Sequence, residues 1–128
     1  MKDPLLDAAL NAREHAHAPY SKFHVGAALE DSAGRIHTGC NVENASYGLT
    51  NCAERTAAFK AVSEGARKFR RIAVAADTSP LTPPCGACRQ VLWEICGDIE
   101  IILLNLHGES ESLRLQHLFP RPFDAKSL

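Results

Sequence analysis

The sequence predicts an α/β domain in which a β-sheet carries helices on both faces. Three observations lead there. The periodic segments run helix, strand, strand, helix, strand, helix, strand; the last two strands each follow a helical crossover; and residues 99–106 (IEIILLNL) are apolar without alternation, as in a strand covered on both sides. The chain has 128 residues, 45% of them hydrophobic and 23% charged, which suits one globular domain over 1–128 with a sizeable core.

Residues 4–17 read as the first helix. Pro4 suits the first turn, Asp3 can cap it, and Leu5, Leu6, Ala9, Leu10 and Ala16 form an apolar stripe. The stretch 17–21 (HAPYS) breaks it. Residues 25–30 and 35–42 read as strands of a hairpin whose turn is Asp31-Ser32-Ala33-Gly34. Residues 41–51 are small and polar, hence a loop. A second helix covers 52–64 and stops near Gly65, with Asn51 as a candidate cap and Glu54 as its capping-box partner. Residues 71–76 (RIAVAA) form a short buried strand. The segment 78–84 holds three prolines and reads as a loop. A third helix spans 85–96 and ends at Gly97, the strand 99–106 follows, and the tail from Ser112 holds a short helix up to Phe119 before Pro120 and Pro122 impose extended backbone.

Charge and hydropathy exclude several functions. Lys plus Arg is 14 and Asp plus Glu is 15, a net charge of −1, so sequence-independent binding to a nucleic-acid backbone is not expected. No apolar run approaches the ~20 residues of a membrane span. The beginning MKDPLLDAAL has no basic head followed by an apolar stretch, so a reducing, cytoplasmic setting is expected. There the five cysteines, Cys40, Cys52, Cys85, Cys88 and Cys96, point to metal or catalysis before disulfides.

Cys85-Gly86-Ala87-Cys88 places two thiols at i and i+3 in the first turn of a predicted helix, where the dipole favours thiolate. Cys52-Ala53-Glu54 lies at the start of another, where side chains lean toward the N-terminus. If the two helix starts face each other, three thiolates and one carboxylate surround a single point. Three thiolates leave the fourth tetrahedral position of a zinc ion open, the catalytic arrangement, in which a bound water loses its proton far more readily than bulk water. Arg55 and Arg89 each follow a key residue, and one or both are expected to donate to the thiolates and offset their charge. A redox dithiol at Cys85 and Cys88 remains open, as does a closed structural zinc site completed by Cys40, Cys96 or a histidine. Glu54 as a mere capping partner remains open too. Cys40 and Cys96 otherwise read as small core residues, and the six histidines as surface or satisfied core.

The runs FHVGAA at 23–28, GCNVENASYG at 39–48, CAER at 52–55 and PCGACRQ at 84–90 closely resemble cytidine deaminase of the small homotetrameric, zinc-dependent type. The resemblance extends from about Leu5 to Phe123. It implies a three-layer α-β-α architecture with a mixed central sheet. It further implies that Cys52, Cys85 and Cys88 hold Zn²⁺ and that Glu54 shuttles protons without ligating the metal. Phe23 packs against the pyrimidine, Asn41 and Glu43 bind a ribose hydroxyl, and the Ala53 backbone reads the base edge. Tyr47 and Phe123 close pockets shared between subunits of a homotetramer. Around Phe123 the run Phe119-Pro120-Arg121-Pro122-Phe123 departs from the family, which more often reads Leu-Leu-Pro before two variable residues and Phe.

The implied reaction converts cytidine and 2′-deoxycytidine to uridine and 2′-deoxyuridine with release of ammonia, as in pyrimidine salvage. The chemistry agrees. Cytosine C4 is a weak electrophile, so N3 must be protonated as the metal-activated water attacks. One carboxylate, Glu54, can accept that proton and donate it again. Asn41 and Glu43 offer an amide and an acceptor with no cluster of cations, which suits a free nucleoside. Nucleic acid and membrane are not expected partners. A related aminopyrimidine nucleoside is the alternative substrate.

Overall fold

The computed structural model describes residues 3–128, so Met1 and Lys2 of the expected domain lie outside the described residues. The elements run α1 (Pro4–Arg13), β1 (Val25–Asp31), β2 (Ile36–Cys40), a 3-10 turn (Tyr47–Leu49), α2 (Ala53–Ser63), β3 (Phe69–Ala76), α3 (Gly86–Cys96), β4 (Glu100–Leu104), β5 (Ser110–Arg114), α4 (Leu115–Leu118) and a 3-10 turn (Ala125–Ser127). The sheet order is β2-β1-β3-β4-β5, with β3 and β4 parallel and every other pair antiparallel. This is the mixed sheet that two antiparallel hairpins joined through two helical crossovers, α2 and α3, produce.

Pleating sorts the core into two layers. Ala27, Leu29, Ile72, Val74, Ile101 and Leu103 face α2 and α3, whose Ala53, Ala57, Ala58, Ala61 and Leu92 cover them. Their alternates Ala28, Ala73, Ala75, Ile102 and Leu104 face α1, through Leu5 and Ala9. Helices therefore stand on both faces, giving the three-layer α-β-α fold. Two glycines bring the layers together. A Cβ on Gly26 would stand 2.1 Å from the Ala9 carbonyl oxygen of α1, and one on Gly39 would stand 2.4 Å from the Ala57 amide nitrogen of α2.

Five expectations are corrected. The first helix ends at Arg13, not 17, because the His17 backbone leaves to bridge Val42, donating to Asn41 O at 2.9 Å and accepting from Glu43 N at 2.8 Å. Asn51 does not cap α2. It pairs with Val42 instead, the cap position falls on Cys52 with no side-chain hydrogen bond, and no capping box forms with Glu54. The tail is helical only over Leu115–Leu118, and the stretch before it forms the edge strand β5. That strand escapes a pattern search because SESLR is almost wholly exposed, with Leu113 alone turned inward, and it exists by pairing with the free edge of β4. The strand 71–76 starts earlier, at Phe69, and 99–106 is trimmed to Glu100–Leu104.

Candidate functional site

The site forms where α2 and α3 begin. Cys52 stands at the N-cap of α2 and Cys85 at the N-cap of α3, in extended conformation with no side-chain capping bond, so both side chains project past the helix ends. Pro83 and Pro84 hold the approach to α3 extended, and Cys88 lies one turn in and buried. α2 and α3 pack together, bringing the two starts side by side. The three sulfurs lie within 4.8 Å of one another, with Cys52 Sγ 3.8 Å from Cys85 Sγ. Three thiolates at ~2.3 Å from a tetrahedral zinc ion stand about 3.8 Å apart, so the spacing fits that ion. No histidine, and neither Cys40 nor Cys96, joins the cluster among the described residues. A fourth protein ligand, which a closed structural site requires, is not present in that group.

Electrostatics at the cluster are uneven. The Cys52 thiol is pulled down to about 5, first by the hydrogen bond from Cys88 and then by Arg55, against the opposing effect of burial. Cys88 keeps the shared proton, its own pKa driven up by that bond, by burial and by the Glu54 carboxylate. Arg55 Nη2 donates to Cys52 Sγ at 3.2 Å, while its buried Nε has no partner. A guanidinium with so little other compensation fits a site that carries excess negative charge when its thiols are ionised. Arg89 points elsewhere: its Nε donates to Pro84 O at 2.8 Å and its Nη1 to Leu118 O at 2.7 Å, so its hydrogen bonds anchor the approach to α3 rather than a thiol.

Beside the sulfurs lies a cavity of about 300 Å³ whose lining includes Phe23, Asn41, Glu43, Cys52, Ala53, Glu54 and Cys85. Glu54 is 5% exposed, and burial pushes its carboxyl up to about 7, assisted by the Cys52 thiolate and opposed by its own amide and by Arg55. Asn41 ties the cavity floor together: Nδ2 donates to Phe23 O at 2.7 Å and Oδ1 accepts from Val25 N at 2.9 Å. Glu43 Oε1 accepts from Tyr20 N at 3.0 Å and Ser21 N at 3.1 Å, and Oε2 accepts from Ser21 Oγ. Those bonds hold the Glu43 carboxyl below its usual range, the Ser21 hydroxyl foremost.

Tyr47 and Phe123 do not reach this cavity within one chain. Tyr47 is 79% exposed and lines a neighbouring depression with Tyr20, Ser21 and Glu43. Phe123 is also exposed, its carbonyl accepting from Gln90 Nε2 at 2.8 Å. Sequence reading missed Ser21, Val25, Thr50, Val74, Thr82 and Pro83, which also line the cavity. Thr82 and Pro83 had a signal, standing directly before the Cys85 turn; the others had none, since each reads as an ordinary loop or strand residue.

A family model described as "Cytidine and deoxycytidylate deaminase zinc-binding region" matches residues 2–104. A protein from Halalkalibacterium halodurans described as cytidine deaminase is 53% identical over 125 residues, covering 97% of this chain and 95% of its own length. A probable cytidine deaminase from Dictyostelium discoideum is 48% identical over 124 residues, covering 96% and 84%. A crystal structure of cytidine deaminase from Burkholderia pseudomallei superimposes with a TM-score of 0.91 at 49% identity, covering 96% of this chain and 100% of that one.

Proposed function

The chain belongs to the cytidine and deoxycytidylate deaminase family, zinc-dependent enzymes, and on that premise we propose how its residues divide the hydrolytic deamination of cytidine. The observation that carries the reading is the trio of sulfurs at zinc-shell spacing beside a buried carboxyl, opening on a cavity of nucleoside-base dimensions. Cys52, Cys85 and Cys88 would hold the ion. When bound, zinc supplies acidification of a water, making a nucleophile available near neutral pH.

The remaining work falls to side chains. Glu54 takes one proton of the water and delivers it to N3 of the base, which makes C4 electrophilic; once the water's oxygen has bonded to C4, Glu54 carries that oxygen's second proton to the amino group, the C4–N bond breaks, and ammonia leaves as the C4 carbonyl forms. A carboxyl held near 7 suits a group that must accept and donate in one turnover. Phe23 packs on the pyrimidine face and the Ala53 backbone reads the base edge. Asn41 and Glu43 take a ribose hydroxyl, each having spare hydrogen-bonding capacity beyond the bonds that fix it. Arg55 offsets thiolate charge, and Arg89 steadies the Pro84 turn that presents Cys85.

In this reading 2′-deoxycytidine is also a substrate, the role is pyrimidine salvage in the cytoplasm, and neither nucleic acid nor membrane is a partner. No helix among the described residues is long and apolar enough to cross a membrane. Exposed Tyr47 and Phe123 support a homotetramer in which each closes a neighbour's pocket. The test is Glu54→Gln. The variant should fold and retain zinc yet lose turnover by about a hundredfold or more. A zinc-loaded Glu54→Gln that deaminates cytidine at the wild-type rate refutes the assignment.

A further inference from the structure

The turn between α1 and β1 carries a hydrogen-bond arrangement that the reaction does not explain. The Tyr20 and Ser21 amides converge on Glu43 Oε1, and the Ser21 hydroxyl donates to Oε2, so both oxygens of one carboxylate are held by a single turn. The same hydroxyl accepts from Phe23 N at 3.0 Å. Ser21 Oγ therefore links the carboxylate to the backbone that carries the Phe23 ring. Between Ser21 and Phe23, Lys22 sits at φ 61, a left-handed conformation that a non-glycine residue adopts only when its surroundings enforce it. The enforcing bonds are Lys22 N to Ala18 O at 3.0 Å and Lys22 Nζ to Pro19 O at 2.7 Å, together with the Glu43 clamp. Ser21 and Glu43 line both the cavity and the adjoining depression, so they form part of the wall between the two.

A carboxylate has about four lone-pair sites. Three are taken by the turn, which leaves a remaining acceptor direction fixed rather than free to rotate. We infer that Ser21 is a positioning residue for nucleoside recognition: its hydroxyl aims the remaining acceptor of Glu43 at a sugar hydroxyl and, through the Phe23 amide, sets the ring that packs on the base. This rests on the reading that Glu43 binds the sugar. The ligand class it selects is a free nucleoside carrying sugar hydroxyls. Because the hydroxyl touches neither the reacting carbon nor the water, its loss acts on binding and not on the chemical step.

The experiment compares steady-state kinetics of cytidine and 2′,3′-dideoxycytidine in wild type, Ser21→Ala, Ser21→Thr and Glu43→Gln, with zinc content and thermal midpoint recorded for each. Loss of one hydrogen bond to a charged group predicts that Ser21→Ala raises KM for cytidine by about tenfold. Its kcat should stay within about twofold, the pattern of lost uniform binding. The preference for cytidine over the dideoxynucleoside should shrink by part of that factor, since the share lost through the Phe23 ring falls on both substrates, and Ser21→Thr should restore it. An equal loss on both substrates, or no loss on either, overturns the proposal. If Glu43→Gln narrows the preference while Ser21→Ala does not, Ser21 alone is misassigned. If Glu43→Gln leaves the preference intact, the reading of Glu43 falls and takes the proposal with it. Should Ser21→Ala not purify folded, the near-isosteric pair Ser21→Thr and Ser21→Val supplies the same comparison.

Discussion

Replacing Gly39 by alanine forces a methyl group into the seam between β2 and α2. The new Cβ would lie 2.4 Å from Ala57 N, 2.6 Å from Ala53 O and 3.0 Å from Ala57 Cα, all backbone atoms, so no rotamer change relieves the overlap. Ordinary contact begins near 3.4 Å, and 3.4 − 2.4 leaves a retreat of about 1 Å for α2. Overpacking of this kind costs about 1–3 kcal/mol, which lowers the thermal midpoint by several degrees, roughly 5–10 °C. The displacement also reaches the site. Cys52, Glu54 and Arg55 stand at the start of α2, whereas Cys85 and Cys88 belong to α3, so moving α2 pulls one sulfur away from two. Metal sites accept errors of about 0.2 Å in ligand distance, so zinc affinity should fall at least about tenfold and turnover with it. Thermal unfolding, zinc competition against a chromogenic chelator and cytidine turnover measure the three effects. Gly26→Ala is the control. It overpacks α1 in the same way, 2.1 Å from Ala9 O, but α1 carries no sulfur, so stability should fall while the folded protein keeps its zinc affinity. A Gly39→Ala protein with wild-type zinc affinity would refute the coupling of this seam to the site.

Two further outcomes follow from charge. Arg55→Gln removes the guanidinium 3.2 Å from Cys52 Sγ and should weaken zinc binding by about tenfold, most steeply toward acid, where the thiol must now lose its proton unaided; a zinc titration at several pH values reads it, and an unchanged affinity speaks against the role. Asp31, held by His37 and by the Arg35 and Ala33 amides, has its carboxyl lowered from an ordinary 3.8 to about 2. A folded value below the unfolded one stabilises the fold above pH ~4, and that stability is lost as pH falls from there through about 2. Thermal midpoints across that window should drop for wild type and fall less steeply for Asp31→Asn, which starts lower at neutral pH; parallel curves would contradict the assignment.

Much of the site was legible because its signals are local. Cys85-Gly86-Ala87-Cys88 behind two prolines fixes a helix start, and Cys52-Ala53-Glu54 precedes a stretch whose alanines Ala57, Ala58 and Ala61 bury one face. The hairpin turn at Asp31, the glycine stop after α3 and the Asp3 cap, which accepts from Leu5 N at 3.0 Å, are equally local. What escaped depends on distant partners. SESLR becomes a strand only because β4 offers an unpaired edge, and residues 14–17 leave the helix only because Val42 recruits His17. Arg89 follows Cys88 in sequence, yet two carbonyl oxygens, one of them on Leu118, claim its guanidinium. Ser21 looks like a loop serine until Glu43, which is 22 residues away, closes on it.

Cytidine turnover followed by ultraviolet absorbance, on chain stripped with a chelator and titrated with zinc, tests most directly whether three sulfurs from two helix starts hold a catalytic ion. Activity should vanish in the stripped protein and return in proportion to zinc up to about one equivalent per chain, with Cys88→Ser failing to recover. Full turnover without zinc, or recovery that is indifferent to Cys88→Ser, would contradict it.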